Sequence, residues 1–189
     1  MAGELQFDQD EPRSHALRLA LRSMLEDLRL MIDSLDEACA DLSVALAMLR
    51  MRLAPLMDGL AAKGTASGNA AGGTVTGAPR LVWETAHLPD LPSVAPGHVL
   101  AVLRIVQEAI TNALKHAQAS QICIAARWHA PELEICIADD GVGLLTQSVH
   151  YPGRGLPSMQ RRSAEINAKL DIVANLPSGT QVRLRMRIT

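Results

Sequence analysis

Four side chains able to do chemistry share one flank of the apolar segment RIVQEAITNALKHA, residues 104–117. At about 100° per residue, Ile105, Val106, Ala109, Ile110, Ala113, Leu114 and Ala117 sweep one continuous half of a helix. Lys115, Glu108, Asn112 and His116 then follow one another along its edge, within about 100° of arc. Asn is a poor interior helix former, so its presence there asks for a reason. Glu108 and Asn112 stand one turn apart. Two stacked oxygen-bearing side chains with an ammonium nearby suit a hard cation held together with a phosphate. Mg²⁺ takes one or two protein oxygens and completes its octahedron with water and phosphate oxygens. A solvated flank carrying a Glu–Lys pair has the same spacing, and His116 alone reads more readily as structural than as a ligand.

Glycine-punctuated stretches downstream shift that balance. ADDGVG, residues 138–143, sets Asp139 at the end of a β-branched run with Gly141 and Gly143 just beyond. A carboxylate fixed there can accept a hydrogen bond from an exocyclic amine such as that of adenine. Glycines beside it let a flat base or a phosphate approach the backbone. PGRGLPSM places Gly153 and Gly155 at the start of a helix, where free amides make an anion site. Gly179-Thr180 falls in a hairpin turn, with a hydroxyl able to complete an adenine pocket. Each stretch alone reads as a turn; their order along the chain points to a nucleotide.

The elements that must position these residues follow from hydrophobic period. LVWET (81–85) reads as a short strand, and a proline-rich connection leads to a helix over 97–117. SQICIAARW (120–128) and ELEICIAD (132–139) form a hairpin, and 156–168 is helical with Pro157 in its first turn. KLDIVA and TQVRLRMRI, joined by NLPSG, make a final hairpin. The order β, α, β, β, loop, α, β, β predicts an α+β fold, with helices on one face of a mostly antiparallel sheet. Upstream, residues 1–13 read as a disordered tail. Residues 14–60 form a helical segment, with helices over 14–37 and 41–60, and 61–79 is a flexible loop rich in Gly, Ala, Ser and Thr. Leu17, Leu21, Met24, Leu28, Met31 and Leu35 make a heptad stripe. Packing within one subunit and a homodimer both satisfy it.

Composition narrows the function classes. A net charge of −2 and an aromatic content of 2% offer neither the electrostatic footprint nor the stacking platforms of a nucleic-acid binder. Cys39, Cys123 and Cys136 have no metal-ligand spacing and read as small buried residues of a reducing compartment. With no signal peptide and no apolar run long enough for a bilayer, a cytoplasmic chain without membrane contact is expected. A longer parent anchored in a membrane is compatible with this.

Taken together, the motifs resemble the ATP-binding catalytic domain of bacterial sensor histidine kinases, in the superfamily shared with gyrase, Hsp90 and MutL. EAITNALKHA resembles the N box, ADDGVG the first glycine box, GRGLPSMQRR the second and SGT the third. The nearest subfamily is that of the nitrate sensors and the thermosensor DesK, and the resemblance covers about residues 80–188. It implies the Bergerat (GHKL ATPase) fold, a two-layer α/β sandwich whose mixed sheet is backed by three helices, and it implies ATP and Mg²⁺. It assigns Asn112 to Mg²⁺, Glu108 to a metal-bound water, and Lys115 to the phosphates with His116 beside them. Asp139 takes the adenine amine, with Gly141 and Gly143 shaping that pocket. Residues 144–154 become a short lid hinged by Gly153 and Gly155, Leu156 follows in the second glycine box, and Thr180 supports the adenine.

The upstream stretch 26–56 is similar to the second helix of a dimerisation hairpin and its connector. The implied partners are a histidine-bearing dimerisation helix and the receiver domain of a response regulator. No phosphoacceptor is found in the chain: His15 is followed by Ala16, not by an acidic residue. Asp140 also departs from the Asn more common at its place in the family. An anti-sigma-factor-type serine kinase and a non-catalytic, dimerising ATP-binding module are the alternative readings.

Overall fold

The computed structural model describes residues 41–65, 79–85, 88, 94–143 and 155–188. The expected tail at 1–13, the helix over 14–37, His15, most of the 61–79 loop, the 144–154 lid and Gly153 lie outside these residues. The first described helix, α1, spans Leu42–Thr65. Asp41 caps it, its Oδ1 accepting from the amides of Ser43 (2.8 Å) and Val44 (3.1 Å). The expected end at residue 60 is five residues short, because Ala61, Ala62 and Lys63 continue the helix as good formers. Pro55 lies within it on the exposed side, where the carbonyl left without an amide partner can meet water.

Strand β1 (Arg80–Glu84) leads through α2 (Pro96–Asn112) to β2 (Gln121–His129) and β3 (Glu132–Asp139). Helix α3 (Gly155–Glu165) precedes β4 (Lys169–Ala174) and β5 (Thr180–Arg187). Helix α3 stops three residues before the expected 168. Asn167 takes φ +51 there, and the amides of Asn167 and Ala168 return to the carbonyls of Ala164 (3.1 Å) and Ser163 (2.8 Å). That is a Schellman stop with Asn in the left-handed position.

The five strands lie in the order β1-β2-β3-β5-β4, with β1 parallel to β2 and the other pairs antiparallel. Register carries one apolar row across all five, through Trp83, Ile124, Ile137, Val182 and Ile172. This face meets the helices. The opposite face carries a charge lattice in which Glu134 pairs with Arg127 (3.9 Å) and Arg183 (3.7 Å), and Asp171 pairs with Arg185. One face buried and one wetted explains the period-2 alternation of these strands.

The mixed sheet backed by helices is the expected α+β sandwich. Helix α1 does not stand apart from it: Leu42, Leu46, Leu49 and Leu53, each at most 1% exposed, belong to the same core as α2, α3 and the sheet. Each such side chain contributes about 1.5–3 kcal/mol by leaving water. Leu42, Leu46, Leu49 and Leu53, within the helical segment expected over 14–60, thus share one core with residues of α2, α3 and the sheet. No helix of the described residues is long and apolar enough to cross a membrane.

Candidate functional site

The site grows from the far end of α2. After Asn112 the helix does not continue as α: residues Ala113–Ala117 form one π turn, ending at Gln118 in the left-handed region (φ 51). A helix over 97–117 was expected, and the difference lies in this wider turn, the kind of irregularity concentrated at functional sites. The carbonyl of Ala117 then accepts the amide of Val142 (2.8 Å), tying the turn to the loop after β3. A Cβ on Gly141 would lie 2.1 Å from that same carbonyl oxygen, so only glycine fits.

Asp139 ends β3, opposite Ile122 of β2 and beside the first residues of β5. It is 6% exposed. Its Oδ1 accepts two amides, Gly141 at 2.9 Å and Thr180 at 3.2 Å. Burial pushes the Asp139 carboxyl above its usual pKa, and those two amides pull against the rise. The hairpin turn between β4 and β5 is fastened to the same place. The Asn175 side-chain amide donates to the Asp139 carbonyl (2.8 Å), and Gly179, at φ +105, passes where a Cβ would meet that carbonyl at 1.9 Å. Thr180 touches Asp139 through its backbone amide, a contact separate from the adenine support expected of its side chain.

Asp140, the departure from the family pattern, has a structural task. Its Oδ1 accepts the amides of Ser120 (2.8 Å) and Gln121 (2.9 Å), and its Oδ2 accepts the Ser120 hydroxyl. Burial acts to raise its pKa, but the Ser120 hydroxyl and the two amides outweigh it, and the carboxyl sits below its usual value. Asp140 thus locks the exit of the π turn to the start of β2.

At the other end, the first residue of α3 leans on α2. The position a Cβ would take on Gly155 is 2.2 Å from Glu108 Oε1 and 3.5 Å from Asn112 Nδ2. The ends of Glu108 and Asn112 therefore converge on the α3 N-terminus, as one-turn spacing on α2 requires. Between the two ends lies a cavity of about 540 Å³, in the range of small-molecule sites. Glu108, Asn112, Lys115, His116, Asp139, Gly143, Gly155, Leu156 and Thr180 all line it. Gly141 adjoins it through Asp139. His116 is held below its usual pKa by partial burial and then by Lys115, with Glu108 opposing, which favours its uncharged form.

Sequence reasoning missed five participants. Arg104, Gln107, Ser158 and Arg162 also line the cavity, and Asn175 fastens the turn beneath it. The helical stripe 104, 108, 112 was visible in principle, since Arg104 precedes Glu108 by one turn. Asn175 sits 36 residues from its partner, with no local signal to find it.

Known proteins resemble this chain in sequence and fold. Residues 97–189 match the family described as histidine kinase-, DNA gyrase B- and HSP90-like ATPase. A homolog of the sensor protein NarQ from Haemophilus influenzae is 41% identical over 95 residues, which is 50% of this chain and 17% of that protein. The sensor histidine kinase LiaS of Bacillus subtilis is 30% identical over 87 residues, 46% of this chain and 24% of its own length. The chain thus spans a quarter or less of these curated relatives. Among solved structures, the blue-light activated histidine kinase of Erythrobacter litoralis superposes with a TM-score of 0.57 at 17% identity, covering 97% of this chain and 64% of that one. Full-length ShkA in complex with AMPPNP gives 0.55 at 17% identity, covering 97% and 39%. At such identities these structures speak for the fold. Residues 97–189 belong to the histidine kinase-, DNA gyrase B- and HSP90-like ATPase family, as an ATP-binding catalytic domain of the kind carried by sensor histidine kinases.

Proposed function

We propose that the chain binds Mg-ATP in this cavity and transfers the γ-phosphoryl to a histidine on a dimerisation helix, for relay to the receiver domain of a response regulator. One observation carries the reading, the distance between the two ends of the site. Ala117, packed on the Asp139 loop, and Glu108, packed on Gly155, are nine residues apart along one helix. At about 1.5 Å per residue through α2, and less through the wider π turn, this is roughly 12 Å, room for a nucleotide laid along the helix with its base at one end and its phosphates at the other.

Asp139 is the base-recognising end. One carboxylate oxygen holds the loop through two amides, and the other is left for the exocyclic amine of adenine. Gly141 and Gly143 let the base approach the backbone. Lys115 and His116 flank the inner phosphates, and the α3 N-terminus, with Gly155 and Leu156, offers amides to the outer ones.

The residues present fit a Mg²⁺ ion. The ends of Glu108 and Asn112 point to one place, and rotation of the Asn112 amide exchanges its nitrogen for its oxygen. Asn112 would hold the ion directly and Glu108 through water, phosphates filling the rest of its shell. Bound there, Mg²⁺ would neutralise phosphate charge. In phosphoryl transfer the protein mainly positions groups and balances charge, which agrees with a site that has no nucleophile of its own.

The reading is tested by supplying a histidine-bearing dimerisation hairpin with the chain and Mg-ATP. Acid-labile, base-stable phosphate on the hairpin is expected, and it should vanish with Asn112→Asp. Label on a serine of an added protein, with none on the hairpin, would favour the serine-kinase alternative.

A further inference from the structure

The position of Glu108 raises a charge problem. In the proposed site the terminal phosphate lies beside this carboxylate, so added negative charge must be balanced there. Lys115 lies seven residues further on, in the π turn after α2, roughly 10 Å away by helical rise, and it serves the inner phosphates. Besides the charge that a bound Mg²⁺ would offset, the nearer side-chain cations are two guanidiniums. Arg104 lies one turn before Glu108, and its Nη1 donates to Gln107 Oε1 at 3.3 Å, which holds it toward the C-terminal side. Gln107 is only 9% exposed, a buried amide held against this arginine. On α3, Arg162 lies two turns beyond Gly155, yet its Nη1 donates to Ser158 Oγ, one turn back toward the helix start. Both guanidiniums line the same cavity as Glu108 and Gly155.

Resting on the nucleotide reading above, we infer that Arg104 and Arg162, held by Gln107 and Ser158, form a clamp for the terminal phosphate that makes the site prefer a triphosphate over a diphosphate. Guanidiniums suit this task, since they stay charged and bind phosphate oxygens in pairs. Their two anchors come from different helices, so the clamp spans α2 and α3. Arg161, the exposed neighbour, pairs with Glu165 on the outside of α3 and does not line the cavity.

The test is calorimetry on the full chain with Mg-ADP and with the Mg complex of a non-hydrolysable ATP analogue. The unaltered chain should bind the triphosphate about tenfold or more tightly than ADP. Arg162→Gln and Arg104→Gln should each cut that ratio by roughly three- to tenfold while ADP affinity holds. Arg162→Lys should keep part of the preference, and Arg161→Gln should change nothing. Retained ADP affinity shows that a variant is folded; if Arg162→Gln does not fold, Arg104→Gln and Arg162→Lys decide. A triphosphate preference unchanged in the variants, with ADP still bound, overturns the clamp and leaves the nucleotide reading intact. Failure of the unaltered folded chain to bind either nucleotide overturns both.

Discussion

Replacing Asp139 by Asn separates recognition from stability, and the structure says how. The carboxylate uses Oδ1 for the amides of Gly141 (2.9 Å) and Thr180 (3.2 Å), and the proposed ligand uses the other oxygen. Asn has a single oxygen. If that oxygen keeps the two amides, its NH₂ faces the adenine amine, donor against donor. A charge-assisted hydrogen bond lost in this way costs about 1.5–3 kcal/mol, and so roughly 10- to 100-fold in ATP affinity. The free protein should not suffer in step. Burial raises the pKa of Asp139, so its stabilising contribution is fully present below the unfolded value of 3.8 and lost as pH rises through the folded one. At neutral pH the ionised group is therefore held at a cost that Asn avoids. Calorimetry should show the affinity loss, and thermal melting should show a midpoint unchanged or raised. Guanine carries an acceptor where adenine carries its amine, so GTP should lose less than ATP. Full ATP affinity in a folded Asp139→Asn, or equal losses for ATP and GTP with a sharp fall in the melting midpoint, would refute the assignment.

Other consequences follow from the same geometry. Asp140→Ala removes the acceptor of two amides and a hydroxyl, and should cost about 2 kcal/mol, seen as a lower denaturant midpoint with unchanged slope. The Asp140 pKa is depressed, so its stabilisation is present above 3.8 and lost as pH falls through the folded value; in the variant, acid unfolding should lose that component. Gly179→Ala puts a Cβ 1.9 Å from the Asp139 carbonyl at φ +105, and should cost more than about 2 kcal/mol while weakening ATP binding, both read from melts with and without nucleotide. His116 is also depressed, so the free protein should lose stability as pH falls from 6.5 through its folded pKa, and His116→Gln should flatten that slope in pH-dependent melts.

Much of the sheet was readable because one face is buried and the other wet. Alternation in ELEICIAD fixed β3 at its observed bounds, Glu132–Asp139. The flank of α2 was readable for the same reason, since apolar residues elsewhere left Glu108 and Asn112 conspicuous. The π turn was hidden, because widening the last turn hardly disturbs a 3.6-residue pattern. The end of α1 was hidden too: alanines at 61 and 62 suit a helix and a loose linker equally. Asp140 looked like a deviant motif residue until Ser120, twenty positions away, supplied its donors. Arg104 and Arg162 carried no assignment, because neither falls on a residue type or spacing that singles it out from other helix arginines. The parallel pairing of β1 with β2 likewise rests on five residues with no signal of direction.

The central claim is that Asp139, Asn112 and the α3 N-terminus form one Mg-ATP site. Its most direct test is a calorimetric titration of the folded chain with Mg-ATP, repeated with Asp139→Asn. A single saturable site, weakened roughly 10- to 100-fold by the substitution, is the expected result. A folded chain that gives no binding isotherm, or one that Asp139→Asn leaves unaltered, would contradict the account.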